Sequence, residues 1–188
     1  MLEANTASAP DGLLVRDIAS RLSDEIDLVA SRMQATLVEV EGAANAARLH
    51  SAQWIRDRLL WHVQNPGVTG KALVAVLPTG EIIGHTVLRR ETDSTGTHFG
   101  LFSTTYVVPP FRARRVASRL LLAGEAWFRE LGLLTASTWT SQTNTKLIRL
   151  FNQHGYQITS QGANDVTGTA MVNLTKVLQV PSGAAWFT

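Results

Sequence analysis

Two adjacent prolines constrain this chain more than any other feature. They interrupt the run Phe102–Gly132, FSTTYVVPPFRARRVASRLLLAGEAWFRELG. Phe102 to Val108 reads as a strand. Pro109 and Pro110 carry no backbone N–H, so a strand ladder cannot pass through them. An arginine-dense turn follows. Apolar residues then recur at Val116, Leu120, Ala123, Trp127 and Leu131. Their i, i+4, i+7, i+11, i+15 spacing predicts an amphipathic helix with this set as its buried stripe. Gly132 is a natural stop.

A strand, a tight turn and a helix N-terminus together form an anion site. The first-turn N–H groups lack helical partners, and the macrodipole adds partial positive charge. Arg112, Arg114, Arg115 and Arg119 crowd that end. Cations there disfavour the helix by a few tenths of a kcal/mol each, roughly. A phosphate or pyrophosphate would offset that cost. A solvated basic turn is the plainer alternative.

These residues carry a resemblance. Val107-Val108-Pro109-Pro110-Phe111-Arg112-Ala113-Arg114-Arg115-Val116-Ala117 resembles the cofactor motif of the GNAT superfamily of N-acetyltransferases, Val-x-Pro-x-Tyr-Arg-Gly-x-Gly-x-Gly/Ala. The Arg/Gln-x-x-Gly-x-Gly/Ala core is matched at Arg112 and Ala117, and Arg115 stands where the family has glycine. A second segment, Asn144 to Tyr156, resembles the family's Asn-x-x-Ala-x-x-Leu-Tyr-x-x-x-Gly-Phe. The resemblance covers about Lys71 to Leu178.

At 188 residues a single domain is expected, with 1–12 a polar leader, 13–178 the domain and 179–188 a tail. The 45% hydrophobic and 17% charged content exclude global disorder. There is no cysteine, so disulfides, thiolate metal sites and a cysteine nucleophile are excluded. The formal net charge of +2 leaves any anion binding to the local arginines and does not favour nucleic acid. No apolar run approaches the roughly 20 residues of a membrane span. Met1 to Gly12 lacks the regions of a signal peptide, so a cytoplasmic location is expected.

In order, a strand is expected at Leu13–Ile18, then a helix from Ser20 with Ile26, Val29, Ala30, Met33 and Leu37 on one face. Ala43–Val63 reads as one further helix. Trp54 and Trp61 on it suit core packing, or they line an acceptor pocket with His62. Lys71–Leu77 and Glu81–Arg90 form a hairpin over Pro78-Thr79-Gly80. Glu91–His98 is a loop, and Phe99–Val108 continues the meander. After the arginine-rich helix come a strand at Leu133–Thr140, a helix at Asn144–His154, a strand through Thr159, a loop at Gln161–Thr167 and a last strand at Thr169–Leu178. This is an α+β fold with a mixed, mostly antiparallel sheet of about seven strands, about four helices and one parallel crossover. The resemblance implies a GNAT-like fold of the same order. The apolar tail Val180–Thr188 packs back or meets a second subunit, which makes a homodimer an option.

The resemblance further implies an acyl-CoA-dependent N-acyltransferase, most simply one moving acetyl from acetyl-CoA to a small amine. Donation by an acyl carrier protein, a macromolecular amine acceptor, or a non-catalytic CoA-binding or partner-binding module are the alternatives. Carried over, the main chain of Tyr106, Val107 and Val108 holds the pantetheine arm. An N–H of Val107 or Val108 polarises the thioester. Arg112 and the amides of Ala113, Arg114, Arg115, Val116 and Ala117, with Ser118 and Arg119, cradle the pyrophosphate. Asn144 approaches the thiol end, and Phe151 contacts the cofactor where the family has its tyrosine acid. Phenylalanine cannot donate a proton, so Tyr106, Tyr156, Ser141 or a water held by Asn144 are replacement donors, Tyr106 the better of the tyrosines because Tyr156 matches the family's core aromatic and suits packing. For the base, the candidates are His85, then His98, Glu81 and Glu91. No metal is required.

Overall fold

A computed structural model describes residues 8–178, apart from 20 and 22. The expected tail, 179–188, and most of the leader lie outside the described residues. The elements run β1 (Leu14–Asp17), α1 (Ser23–Glu41), α2 (Ala43–Leu49), α3 (Ala52–Gln64), β2 (Gly70–Val76), β3 (Ile82–Thr92) and β4 (His98–Val107). They continue with α4 (Val116–Glu130), β5 (Thr135–Ser141), α5 (Thr145–Gln153), β6 (Gln157–Ala163) and β7 (Ala170–Val177). The seven strands form one sheet in the order β1-β2-β3-β4-β5-β7-β6. Only β4 and β5 run parallel, joined by the α4 crossover. The α+β architecture is as expected. Among the described residues no helix is long and apolar enough to cross a membrane.

Several local readings need correction. Ala43–Val63 is not one helix. His50 is extended (φ −152°, ψ 138°), and Ser51 starts a new helix by accepting a hydrogen bond from Trp54 N at 3.1 Å. A serine cap competes with continuation because it satisfies an otherwise orphaned first-turn N–H. The described residues therefore hold five α-helices rather than four. The 91–98 loop is shorter than expected: both strands extend until the Asp93 carboxylate, accepting from Thr95 N and Thr97 N, closes a tight turn. Residues 161–163, read as loop, pair with β7.

The helix after the prolines is also rotated from its expected stripe. Val116, Leu120, Leu121, Gly124 and Phe128 face the core, Ala123 and Trp127 are only partly covered, and Leu131 is exposed. Gly124 explains the rotation. A Cβ there would lie 2.6 Å from Phe102 Cε1, so only glycine lets α4 sit this close to the sheet.

The sheet has one apolar layer on each face. Ile26, Val29, Ile55 and Leu59 of α1 and α3 pack on Val74, Val76 and Val87. On the other face α4 and α5 pack on Leu73, Leu88, Phe102 and Leu174. Phe102 is the hub of an aromatic group, edge-on to Phe128, Phe151 and Tyr156 with centroids 5.2, 5.4 and 6.3 Å away.

Candidate functional site at the opening of the sheet

The two parallel strands pair over three positions only: Gly100 with Ala136, Leu101 with Ser137, and Phe102 with Thr138. Past Phe102 they separate. The β3–β4 register shifts at the same point, with Val87 opposite Thr104 and Leu88 opposite Phe102. Ser103 is the extra residue. A bulge increases local twist and bends its strand, which turns the end of β4 away from β5.

The separation leaves the β4 main chain facing a gap. Val108 N donates to Ile83 O at 3.0 Å, so Val108 points towards β3 and cannot serve as the expected thioester donor. Antiparallel ladders alternate, which aims the N–H and C=O of Val107 the other way, into the gap. The Val107 carbonyl accepts from Arg112 Nε at 2.9 Å. The Val107 N–H is left as a donor on this edge, and the same alternation turns the Thr105 N–H into the gap.

After Val107 the chain turns through a 3-10 segment, Pro109–Phe111, into α4. Ala113 (φ 61°) and Arg115 (φ 53°) are both left-handed. Glycine adopts this conformation freely and other residues at a cost of roughly 1 kcal/mol. Arginine at 115 therefore keeps the backbone shape that glycine would give, with its side chain in solvent. Left-handed residues among ordinary ones turn successive N–H groups to one side, an anion-binding concavity. Arg114, Arg115 and Arg119 are exposed around it.

Arg112 does not join them. Its guanidinium makes a two-pronged pair with Glu39 of α1 at 2.8 Å for each contact, and holds the Glu39 carboxyl below the usual carboxylate range. The arginine straps α1 across the end of β4, a structural role in place of the expected phosphate contact.

Three further expectations shift. Asn144 caps α5: Oδ1 accepts from Leu147 N at 3.3 Å, and Nδ2 donates to Thr140 Oγ1 at 3.0 Å. It still borders the gap but its polar atoms are engaged. Phe151 is 1% exposed inside the aromatic group and offers no surface to a ligand. Tyr156 is core, as its match to the family's core aromatic implied; burial, with Glu125 adding to it, pushes its phenol well up. His85 is sealed. It is fully buried, its ring faces Tyr106 at 5.7 Å, and neither nitrogen has a partner. Burial, aided by the Arg32 charge, lowers its pKa to about 3. A sealed imidazole that weakly basic cannot relay protons to solvent. Tyr106 is half-buried, with the guanidinium carbons of Arg32 and Arg112 5.9 and 5.6 Å from its ring. His98 is exposed and bonded to Thr92 at the far end of β4, Glu81 sits exposed beside the 77–81 turn, and Glu91 pairs with Arg89.

On the α1–α3 side the gap opens into a cavity of about 410 Å³. Its floor is Ser103, Thr104, Thr105, Thr138, Thr140 and Ser141. Its roof comes from the early helices, and the sequence reading found only Trp54 and His62 of it. Trp54 is not core but 46% exposed, its indole stacked on His50 at 3.7 Å. Burial lowers the His50 pKa. Trp61 is 41% exposed and carries Arg58 on its face at 4.3 Å. His50, Arg58, Arg89 and Glu41 all border the cavity.

The sequence matches the acetyltransferase (GNAT) family over residues 37–156. No curated protein sequence matches the chain significantly. Among solved structures, it is similar to an acetyltransferase of the GNAT family from Streptococcus pneumoniae (16% identity, TM-score 0.66, covering 89% of this chain and 99% of that one). It is also similar to a ribosomal-protein-alanine N-acetyltransferase from Brucella melitensis (16%, TM-score 0.69, 88% and 99%). A third is a GNAT family acetyltransferase from Elizabethkingia anophelis with acetyl-CoA bound (17%, TM-score 0.62, 89% and 99%). At these identities the likeness is one of fold.

Proposed function

The chain belongs to the GNAT acetyltransferase family, and on that premise we propose that it transfers an acetyl group from acetyl-CoA to the primary amine of a small molecule by direct attack. The observation that most supports this is the gap after Phe102, where a strand edge, a left-handed turn and a helix N-terminus follow one another. The residues fit a CoA thioester. The unpaired edge of β4 suits the amide-bearing pantetheine arm. The first-turn amides Val116 to Ser118, with those of Arg114 and Arg115, suit a pyrophosphate. The exposed guanidiniums of Arg114, Arg115 and Arg119 add charge at its rim.

Bound there, the thioester supplies the acyl group: the amine lone pair forms the new C–N bond, the C–S bond breaks with its electron pair on sulfur, and the ammonium proton leaves to a base and then to water. Val107 N–H is placed to polarise the carbonyl. With Phe151 buried, α5 supplies no proton donor. A thiol of ordinary pKa near 8.5 is a tolerable leaving group without one. His50 is the base we assign. It borders the cavity, and burial keeps it neutral near pH 7, ready to accept a proton.

Two measurements test this. Calorimetry of acetyl-CoA and desulfo-CoA is expected to give micromolar binding, about threefold to tenfold weaker for Arg115→Ala, since one exposed charge is lost. No heat with either ligand would overturn the cofactor reading. With an accepted amine, His50→Gln is expected to lower kcat/KM about 100-fold and to remove the acid limb of its pH profile, raised pH restoring part of the rate. An unchanged profile would remove His50 as the base.

A further inference from the structure

Positive charge outnumbers acid at one end of the cavity, where Glu91 pairs with Arg89 but no carboxylate among the described residues pairs with Arg58. Arg58 is half-buried on α3. It lies over the Trp61 ring, and among the described residues no carboxylate pairs with it. Arg89, from β3, pairs with Glu91 and donates from Nη1 to His62 Nε2 at 3.4 Å. Because that nitrogen accepts, the imidazole proton sits on Nδ1, which has no acceptor among the described residues although His62 is 5% exposed. The three side chains face one another. The Arg58 charge disfavours protonation of both Arg89 and His62, while burial is the larger cause for each. Two guanidiniums and an unsatisfied N–H around a partly closed space are unfavourable alone, and an anion placed among them relieves both costs.

The cavity's own carboxylate does not play that part. Glu41 accepts hydrogen bonds from Thr169 at 2.5 Å and Thr167 at 3.5 Å, hydroxyls flanking the start of β7. Three strand spacings separate β7 from β3, roughly 14 Å. The space between is bordered by Trp54, Met33 and Leu37, an apolar and aromatic middle.

We infer that the acceptor amine also bears a carboxylate, which docks against Arg58, Arg89 and His62 while its apolar or aromatic body lies along Trp54. The inference rests on the acetyltransferase reading above. Register sets the span. Arg89 lies opposite Leu101, whereas Val107, whose N–H is assigned to the thioester carbonyl, lies opposite Gly84. Five residues of strand are roughly 17 Å, a distance that the extended Arg89 side chain and an acceptor with well-separated ends cover together. Amine and carboxylate thus sit at opposite ends of the acceptor rather than on one carbon.

The test pairs para-(aminomethyl)benzoate with para-(aminomethyl)benzamide, alike in shape and different in charge. Acetylation of the acid is expected to exceed that of the amide by about tenfold or more in kcat/KM, carried by KM. In Arg58→Gln the preference is expected to fall to about twofold, with most of the change in KM. Quenching of tryptophan fluorescence gives binding without turnover, and the acid is expected to bind more tightly than the amide there too. Equal use and equal binding of the two overturns the inference, as does a preference that survives Arg58→Gln. Acetyl-CoA calorimetry on the same preparation separates the two readings. Acetyl-CoA binding with no acid preference overturns the carboxylate alone. No acetyl-CoA binding and no acetylation overturns the transferase reading, and the fluorescence titration still decides whether the carboxylate docks.

Discussion

Acidification from about pH 7 to about pH 4.5 is expected to remove about 4 kcal/mol of stability through two histidines. His85 and His62 titrate in the fold at about 3 and about 4. Burial is the main cause for each, with the charge of Arg32 beside His85 and those of Arg89 and Arg58 beside His62. In the unfolded chain both take an ordinary pKa near 6.5. Between that value and the folded ones the unfolded state therefore binds more protons than the native state. Stability falls as pH falls through this window, and the loss is complete only below about pH 3. Each histidine accounts for roughly 2 kcal/mol of the change at about pH 4.5.

Urea unfolding across this range measures the loss. His85→Leu is the informative variant, because neither imidazole nitrogen has a partner and an apolar side chain gives up no hydrogen bond. It is expected to be neutral or stabilising at neutral pH and to remove about half of the acid dependence. A variant as acid-sensitive as the wild type would show that His85 titrates normally and is not sealed in the fold.

The second large effect lies at Glu125, away from the cavity. This carboxylate on α4 is 1% exposed and bridges Arg129 at 2.9 Å and Lys176 of β7 at 2.7 Å. Lys176 also lies 5.5 Å from the centre of the Tyr156 ring. The bridge fastens the crossover helix to the strand beyond β5. Glu125→Gln removes the buried carboxylate that both cations share. The expected cost is about 3 kcal/mol, the low end for a broken buried pair because both cations can turn partly to water. Tm should fall by roughly 6–12 °C for a domain of this size. Adding Lys176→Met should recover part of the loss, since the two changes share one interaction. A Tm within about 1 °C of wild type would mean that the bridge contributes nothing net.

Legibility followed the range of the interactions. Pro109-Pro110 marked the end of β4, and the arginines marked the turn into α4, because both act through the backbone within a few residues. The β2-β3-β4 meander and the one parallel crossover followed from the sequence of elements, whereas the insertion of β7 between β5 and β6 did not. The break at His50 was missed because Ser51 works as a cap only when the chain before it bends, and no periodicity reports that bend. The stripe on α4 was misplaced because one small residue, Gly124 beneath Phe102, decides which face can approach the sheet.

The candidate site divides the same way. The motif located the opening and its anion-binding turn, which depend on local backbone geometry that even Arg115 in glycine's place preserves. It could not say that Arg112 is spent on Glu39, that Phe151 lies in the core or that His85 is sealed. Each of these depends on a residue far away in the chain. The cavity roof drew least from sequence, since His50, Arg58 and Arg89 form a group only once α3 lies over the sheet. The chain's own pattern thus determined the strands, the helices and the place where two strands part. Long-range packing alone decided which side chains meet there, because burial and charge pairing depend on neighbours that no local spacing encodes.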